Sequence, residues 1–265
     1  MVSFKYYPHG KRKAFTMSFD DGKIHDLRLI DIFNKYGIKG TFHINSSKIG
    51  LEGYISESDL KEKFILHEVA CHTVNHPFLE KCPKAVVVSE VLEDKRALER
   101  IVGYPVRGMS YPMGTYNEEI MNTISTLGID YSRTVDDTTI NFSLPENFLK
   151  WQPTCHHYNG AMNKLADFKN NYPWRSMELL YIWGHSYEFD NDNSWDSIED
   201  LCKAAANDDN VWYATNIEIF DYISALRSLK MTADSDCIYN PSCIPVWVDV
   251  DGSAILVDAG ETKRF

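Results

Sequence analysis

Arg12-Lys13-Ala14-Phe15-Thr16-Met17-Ser18-Phe19-Asp20-Asp21-Gly22 is the stretch from which the rest of the chain can be read. Phe15, Met17 and Phe19 alternate with small or polar residues, the two-residue period of a strand with one face in a core. The strand runs into two adjacent carboxylates and a glycine. Side chains alternate along a strand, so Asp20 and Asp21 are expected on different sides of its end. Held close but aimed apart, one acid can bind a cation while the other handles a proton. Asp and Gly are also ordinary turn residues, so a strand end with a plain turn is the other reading of these residues alone.

Outward from this strand, Leu27, Leu29, Ile30, Ile32, Phe33 and Tyr36 recur at helical spacing, with Gly37 as the stop. Lys39–Asn45 reads as a second strand. Ser56–Phe64 reads as a helix capped by Ser56 or Ser58, and Ile65–Cys71 as a strand ending at His72. Pro83–Val102 predicts a long amphipathic helix stopped by Gly103. A short strand at Val106–Tyr111, a helix at Asn117–Leu127 and a strand at Ile129–Val135 follow. Residues 136–160 have no clear period and read as one long loop, a length that is usually functional or mobile in a compact domain. Then come a helix at Met162–Asn171, a buried strand at Glu178–Trp183 leading into Gly184-His185, and a strand at Val211–Ala214 between helices at Ile198–Ala206 and Ile217–Leu229.

Strand and helix thus alternate about seven times, the pattern of an α/β parallel barrel or wound sheet. The tail differs. Ile244–Val250 and Ala254–Val257 flank Asp251-Gly252-Ser253, a strong hairpin signal. The expected organisation is an α/β barrel unit over residues 1–230 and a small β-hairpin appendage over 231–265.

The chain has 265 residues, 44% of them hydrophobic, which suits one large domain with a substantial core. Its net charge is −11, its pI is about 5.3, and no basic block stands out, so nucleic acid and anionic membranes are excluded as expected partners. No apolar run approaches the roughly 18 residues of a membrane-spanning helix. The N-terminus lacks the apolar stretch of a signal peptide, so a cytoplasmic protein is expected, or a secreted one if a leader precedes this sequence. None of the six cysteines forms a Cys-x-x-Cys pair, which argues against a thiolate metal site. Only Cys237 and Cys243 are close enough in sequence to suggest a disulfide.

The residues able to do chemistry stand where predicted strands end, which is where parallel α/β folds build sites. They are Asp20 and Asp21; His72 in His72-Thr73-Val74-Asn75-His76-Pro77; Arg107 and Tyr111 in Arg107-Gly108-Met109-Ser110-Tyr111-Pro112; and His185. On one helical turn His72 and His76 would face the same way, within the limit that Pro77 sets. Two histidines and a carboxylate leave open positions on a cation, as catalytic metal sites require. Each feature has a plainer reading: a His-x-x-x-His pair that binds nothing, a surface arginine, a hydrogen-bonded histidine. Joint placement at strand ends favours a site.

The ordered set resembles the polysaccharide deacetylases of the NodB-homology family, carbohydrate esterase family four. Ser18-Phe19-Asp20-Asp21-Gly22 matches a Thr-Phe-Asp-Asp-Gly-like motif, and His72-Thr73-Val74-Asn75-His76-Pro77 matches His-(Ser/Thr)-x-x-His-Pro. The segment from Arg107 to Gly114 is a looser version of Arg followed by Pro-Tyr-Gly. Leu180–His185 matches an apolar strand ending in histidine. The resemblance covers residues 12–230 and implies a distorted (β/α) barrel of about seven parallel strands. It also implies a divalent metal ion, most often zinc, with cobalt, manganese or nickel as alternatives. By the same resemblance Asp21, His72 and His76 hold the metal and Asp20 is the general base. Arg107 keeps Asp20 charged and oriented, the backbone near Tyr111 stabilises the oxyanion, and His185 is the acid for the leaving group.

The sequence departs from that family in two places. The Asp-Trp pair that tunes the acid histidine has no clear match; Asp136 or Asp137 and Trp151 are the nearest candidates. The interval from Arg107 to His185 is long, and the excess holds His156-His157, expected at the surface or rim. Trp151, Trp183 and Tyr187 are candidates for stacking on sugar. The expected function is metal-dependent removal of acetyl groups from an acetylated carbohydrate. An O-acetyl esterase of the xylan type and a non-catalytic carbohydrate-binding protein on the same fold are the rivals.

Overall fold

The computed structural model describes residues 1–137, 142–170, 172 and 174–265. After a short strand β1 (Val2–Ser3), β2 (Lys13–Asp20) forms the spine of a parallel sheet with β3 (Gly40–Ile44), β4 (Glu68–Cys71), β5 (Gly108–Ser110), β6 (Tyr131–Arg133), β7 (Cys155–His156), β8 (Glu178–Gly184) and β9 (Val211–Tyr213). The order is β6-β5-β4-β3-β2-β8-β7, seven strands on one curling path. β8 pairs β2 from Lys13 to Phe19 along one edge. The other edge is shared, with β9 on Lys13–Phe15 and β3 on Met17–Asp20. Among the described residues β6 and β7 do not pair, so the barrel stays open there.

The helices α1 (Asp26–Tyr36), α2 (Glu57–Glu62), α3 (Lys84–Val102), α4 (Glu118–Thr126), α5 (Ala161–Lys169), α6 (Ser186–Asn191), α7 (Trp195–Ala205) and α8 (Asn216–Ser228) complete the alternation. Their ends follow local chemistry. Gly37, after α1, takes the left-handed conformation at φ 65°. Ser56 and Asp59 form a capping box at α2, as Thr215 and Glu218 do at α8. The sequence reading missed α6, whose six residues are too few to display a period. It also ran the fourth strand too early, because exposed Ile65 and Leu66 lie ahead of β4. Asn171, the expected end of α5, lies outside the described residues. No helix among them is long and apolar enough to cross a membrane.

All eight residues of β2 are buried, although the alternation had suggested one buried face. Phe15, Met17 and Phe19 meet Leu29 and Phe33 of α1 and Ile198 and Leu201 of α7 in the outer core. The opposite face looks into a polar barrel interior, also dry. There Thr16 Oγ1 donates to Asn216 Oδ1 at 2.9 Å, and Ser18 Oγ lies 3.0 Å from Tyr181 Oη. Glu68 accepts from Tyr131 Oη at 2.6 Å, Thr41 Oγ1 at 2.9 Å and Ile217 N at 2.8 Å. Satisfied hydrogen bonds make that interior tolerable.

In the tail, β12 (Val246–Val250) and β13 (Ser253–Val257) form a hairpin through Asp251 and Gly252, both at positive φ. β1 pairs antiparallel with β12, so this small sheet draws in the N-terminus. β10 (Lys230–Met231), β11 (Cys237–Tyr239) and β14 (Thr262–Arg264) make a second three-stranded sheet. Val246, Val248 and Val257 share a core with Tyr222, Ile223 and Leu226 of α8. All six cysteines are free thiols, so Cys237 and Cys243 are not bridged.

Candidate metal and acid–base site

The C-terminal ends of β2, β4, β5, β6 and β8 converge on one cleft of about 580 Å³ that Asp20, Asp21, His72, His76, Tyr111, Trp183, His185 and Tyr187 all line. Asp21 follows β2 with φ 80°, and Thr73 and His76 have φ 66° and 60°. Non-glycine residues seldom occupy this region, and strain of this kind concentrates at functional sites. Gly22, at φ 63°, leaves little room for a side chain: a Cβ there would stand 3.1 Å from Ile44 Cγ2, on a backbone conformation that favours glycine.

The segment from His72 to His76 is a loop, not the helical turn expected. Asn45 Nδ2 donates to the carbonyls of His72 and Thr73 at 2.6 and 3.0 Å, and His76 N donates to Thr73 Oγ1 at 3.1 Å. The loop nonetheless brings the two rings to 4.6 Å between centroids. Asp21 Oδ1 lies 3.7 Å from His72 Nε2 and 3.8 Å from His76 Nε2. These atoms surround one point as three ligands of a single ion would. Ser110 O lies 3.0 Å from His72 Nδ1 and needs a donor, which assigns the proton to Nδ1 and leaves the Nε2 lone pair facing the acids. Burial lowers the His72 pKa to about 3, so the ring is neutral, the form that ligates. The donor set therefore fits a divalent cation with open positions.

Asp20 is buried behind this triad. Arg133 Nη2 donates to its Oδ2, and Ser110 Oγ donates to its Oδ1 at 3.1 Å. His43 Nδ1 lies 3.1 Å from Oδ1 and His72 Nε2 3.8 Å from Oδ2. Burial opposes the charge, but the Arg133 guanidinium, with the His43 ring beside the carboxyl, outweighs it and holds Asp20 well below the ordinary range.

Arg107, the expected partner of Asp20, is at the other end of the barrel. It precedes β5, and its guanidinium bonds Asp130 Oδ2 at 2.8 Å and Asp221 Oδ1 and Oδ2 at 2.8 and 2.6 Å. A residue ahead of a strand lies at its N-terminal end, whereas Asp20 closes its strand. Arg133, at the end of β6 and in register with Ser110, takes the place expected of Arg107.

His185 follows β8, and the residue beside it is Glu188 of α6. Glu188 Oε2 accepts from His185 N at 3.0 Å and lies 2.7 Å from His157 Nε2 and 3.3 Å from His156 Nε2. Its Oε1 lies 3.3 Å from His185 Nδ1, close but not aligned for a hydrogen bond. Burial works against both charges. The three imidazoles still hold Glu188 well below the carboxylate range, and Glu188 with Asp20 and Asp21 raises the His185 pKa. Asp136 and Asp137, expected as partners of His185, bind elsewhere. Asp136 Oδ2 accepts from Gln152 Nε2 at 2.8 Å, and Asp137 Oδ2 accepts from His156 N at 2.9 Å. His156 and His157 are not surface residues: their side chains are only 13% and 3% exposed. His157 packs so closely on Gly184 that any side chain there would collide with it.

Of the expected sugar-stacking residues, Trp183 and Tyr187 line the cleft, and Arg133 lies 4.3 Å from the Trp183 ring centroid. Trp151 does not: it is fully buried against Tyr131, Phe148 and Tyr181. The backbone N–H of Tyr111 donates to Arg133 O at 3.1 Å. The Tyr111 ring lines the cleft, and its hydroxyl donates to Leu149 O at 2.7 Å. Sequence reading missed Arg133, Ser110, His43 and Glu188. The Glu three residues after His185 was the one visible signal, as an N-terminal helix pattern.

Residues 8–132 match the family described as polysaccharide deacetylase. A peptidoglycan-N-acetylglucosamine deacetylase of Listeria monocytogenes is 25% identical over 127 residues, 47% of this chain and 27% of that protein. A chitooligosaccharide deacetylase of Rhizobium leguminosarum bv. phaseoli is 31% identical over 119 residues, 42% of this chain and 48% of that one. The chain spans about half the length, or less, of the curated relatives it matches. For fold alone, the Xyl-CE4 domain of a xylanase from the hindgut metagenome of Trinervitermes trinervoides superposes with a TM-score of 0.54 at 16% identity, covering 81% of this chain and 92% of that domain. A CE4 family pseudoenzyme from Bacillus anthracis superposes with a TM-score of 0.51 at 13% identity, covering 82% and 68%. A fold shared with a pseudoenzyme leaves the chemistry to be argued from the residues of the cleft.

Proposed function

We propose that the chain, whose residues 8–132 match the polysaccharide deacetylase family, is a metal-dependent hydrolase that removes acetyl groups from an acetylated carbohydrate, an N-acetyl amino sugar in a poly- or oligosaccharide. The observation that carries this reading is the pairing, in one cleft, of the Asp21–His72–His76 triad with a separately held base and acid. A divalent cation on that triad, zinc by family resemblance, would supply Lewis acidity toward the acetyl carbonyl and a water.

The chain's own groups divide the remaining work. Asp20, kept ionised and fixed by Arg133, Ser110 and His43, accepts the proton of the attacking water at a carboxylate oxygen. His185, its charged form favoured by Glu188, delivers a proton to the departing nitrogen, since an amide anion is too basic to leave. Tyr111, Met113, Val135 and Trp183 form the apolar wall against which the acetyl methyl and a sugar face pack. The test is acetate release from N-acetylated oligosaccharides by metal-loaded protein, before and after chelation. Release that survives complete removal of the metal, or no release from any acetylated sugar, overturns the proposal.

A further inference from the structure

The cleft continues past Asp21, His76 and Tyr187 into a second lobe of about 600 Å³, whose walls carry Lys23, His25, Lys48 and Asn75. The two lobes differ in chemistry. The first is walled by Tyr111, Met113, Val135 and Trp183. The second is cationic, in a chain whose net charge is −11. Lys23 and Lys48, half-buried in the lobe, form no ion pair among the described residues. Lys23 Nζ is held 3.9 Å from the Tyr54 ring centroid, an arrangement that orients its charge without neutralising it.

Two acids near the lobe, Asp190 and Glu90, have partners of their own. Asp190 Oδ2 is 3.6 Å from His25 Nε2, and its Oδ1 accepts from Trp195 Nε1 at 3.4 Å. Glu90 accepts from both Asn75 N and Asn75 Nδ2, at 2.8 and 2.7 Å. Asp21, at the junction of the lobes, faces His72 and His76. Two ammonium groups that form no ion pair among the described residues thus stand on the wall of a concave site that opens onto the triad, with Asp21 the carboxylate where the lobes meet.

We propose that the Lys23–Lys48 lobe is a subsite for an anionic substituent, carboxylate or phosphate, on the sugar next to the acetylated one. This rests on the deacetylase reading and narrows it to acidic or phosphorylated acetylated glycans. One end of the glycan lies on the apolar wall, and the acetyl group sits at the triad. The charged neighbour enters the second lobe, where the ammonium groups donate charge-assisted hydrogen bonds.

The experiment compares three N-acetylated oligosaccharides of equal length: one neutral, one bearing a uronic carboxylate, one bearing a phosphate monoester. Binding is read by calorimetry and turnover by acetate release, at low and high salt. Wild type should prefer one or both anionic ligands by roughly 5- to 30-fold, allowing for a partly solvated pair, with the preference shrinking as salt rises. Lys48→Met should remove most of that preference, Lys48→Glu should invert it, and Lys48→Arg should keep it. Whichever anion is preferred identifies the substituent. Equal binding of all three ligands by wild type, or a preference untouched in folded Lys48→Met protein, overturns the subsite. The two proposals fail separately. Anionic preference in binding with no acetate release would sink the deacetylase reading alone, and equal release from all three would sink the subsite alone.

Discussion

Arg133 and Asp20 form a buried ion pair across the barrel, joining the end of β6 to the end of β2, two strands separated by β3, β4 and β5 in the sheet. Both side chains are almost wholly shielded from water, so neither charge is stable without the other. Arg133→Ala should cost about 3–5 kcal/mol of stability and most of the activity. Arg107→Ala removes a half-exposed pair at the opposite end of the barrel and should cost no more than about 1 kcal/mol. Thermal melts and acetate-release rates on the two variants decide. If Arg107→Ala abolishes turnover with metal retained while Arg133→Ala does not, the assignment of Arg133 is wrong.

The metal triad makes a stoichiometric prediction. His76→Ala removes one of three protein ligands from a partly open loop and should leave the fold intact while sharply lowering bound metal and activity. Asp20→Asn should keep the metal and lose about 100- to 10,000-fold in rate, because it removes the proton acceptor, and it should also lower stability by leaving the buried Arg133 charge unpaired. Elemental analysis beside kinetics separates the two. Unchanged metal in His76→Ala would remove that residue from the ligand set.

His185 and Glu188 are tested by the leaving group. His185→Ala should lose about 100- to 10,000-fold on an N-acetyl sugar and far less on nitrophenyl acetate, whose phenolate leaves unaided. Glu188 acts through the ring beside it, so Glu188→Gln should show the same substrate contrast at roughly 10- to 100-fold. Equal losses on both substrates, with metal bound, would reassign His185 to holding substrate or oxyanion.

Glu68 predicts a pH dependence of stability. Burial raises its pKa from an ordinary 4.5 to about 7 in the folded chain. Between these values the folded state binds more protons at this site than the unfolded state, so the contribution of Glu68 to stability falls as pH rises through the window. The loss is on the order of a few kcal/mol. Denaturation midpoints of wild type and Glu68→Gln should therefore diverge in slope between pH 4.5 and 7, with wild type losing more. Parallel curves would mean that Glu68 is ionised in the folded chain throughout.

The sequence by itself determined whatever one strand or one turn encodes. The period of Phe15, Met17 and Phe19 marks β2, and the acids that follow it are the ones in the cleft. His72 and His76 sit four residues apart around a fixed loop, so their meeting is nearly local. Strand and helix alternation, read from two periods, sufficed for a parallel barrel. Only the tertiary structure decided which arginine meets Asp20, because that depends on how far the sheet curls and on the register of β5 with β6. Arg107 is closer in sequence to the motif, but it is at the wrong end of its strand. Trp151 is aromatic on either reading; its place in the interior rather than the cleft follows from packing against Tyr131, Phe148 and Tyr181. Glu188 becomes the partner of His185, and His156 and His157 leave the surface, because β7 and β8 lie side by side and α6 turns back over their ends. His185 and Glu188 are only three residues apart, but the contacts of Glu188 with His156 and His157 join residues about thirty positions apart, and no local period carries information over that distance.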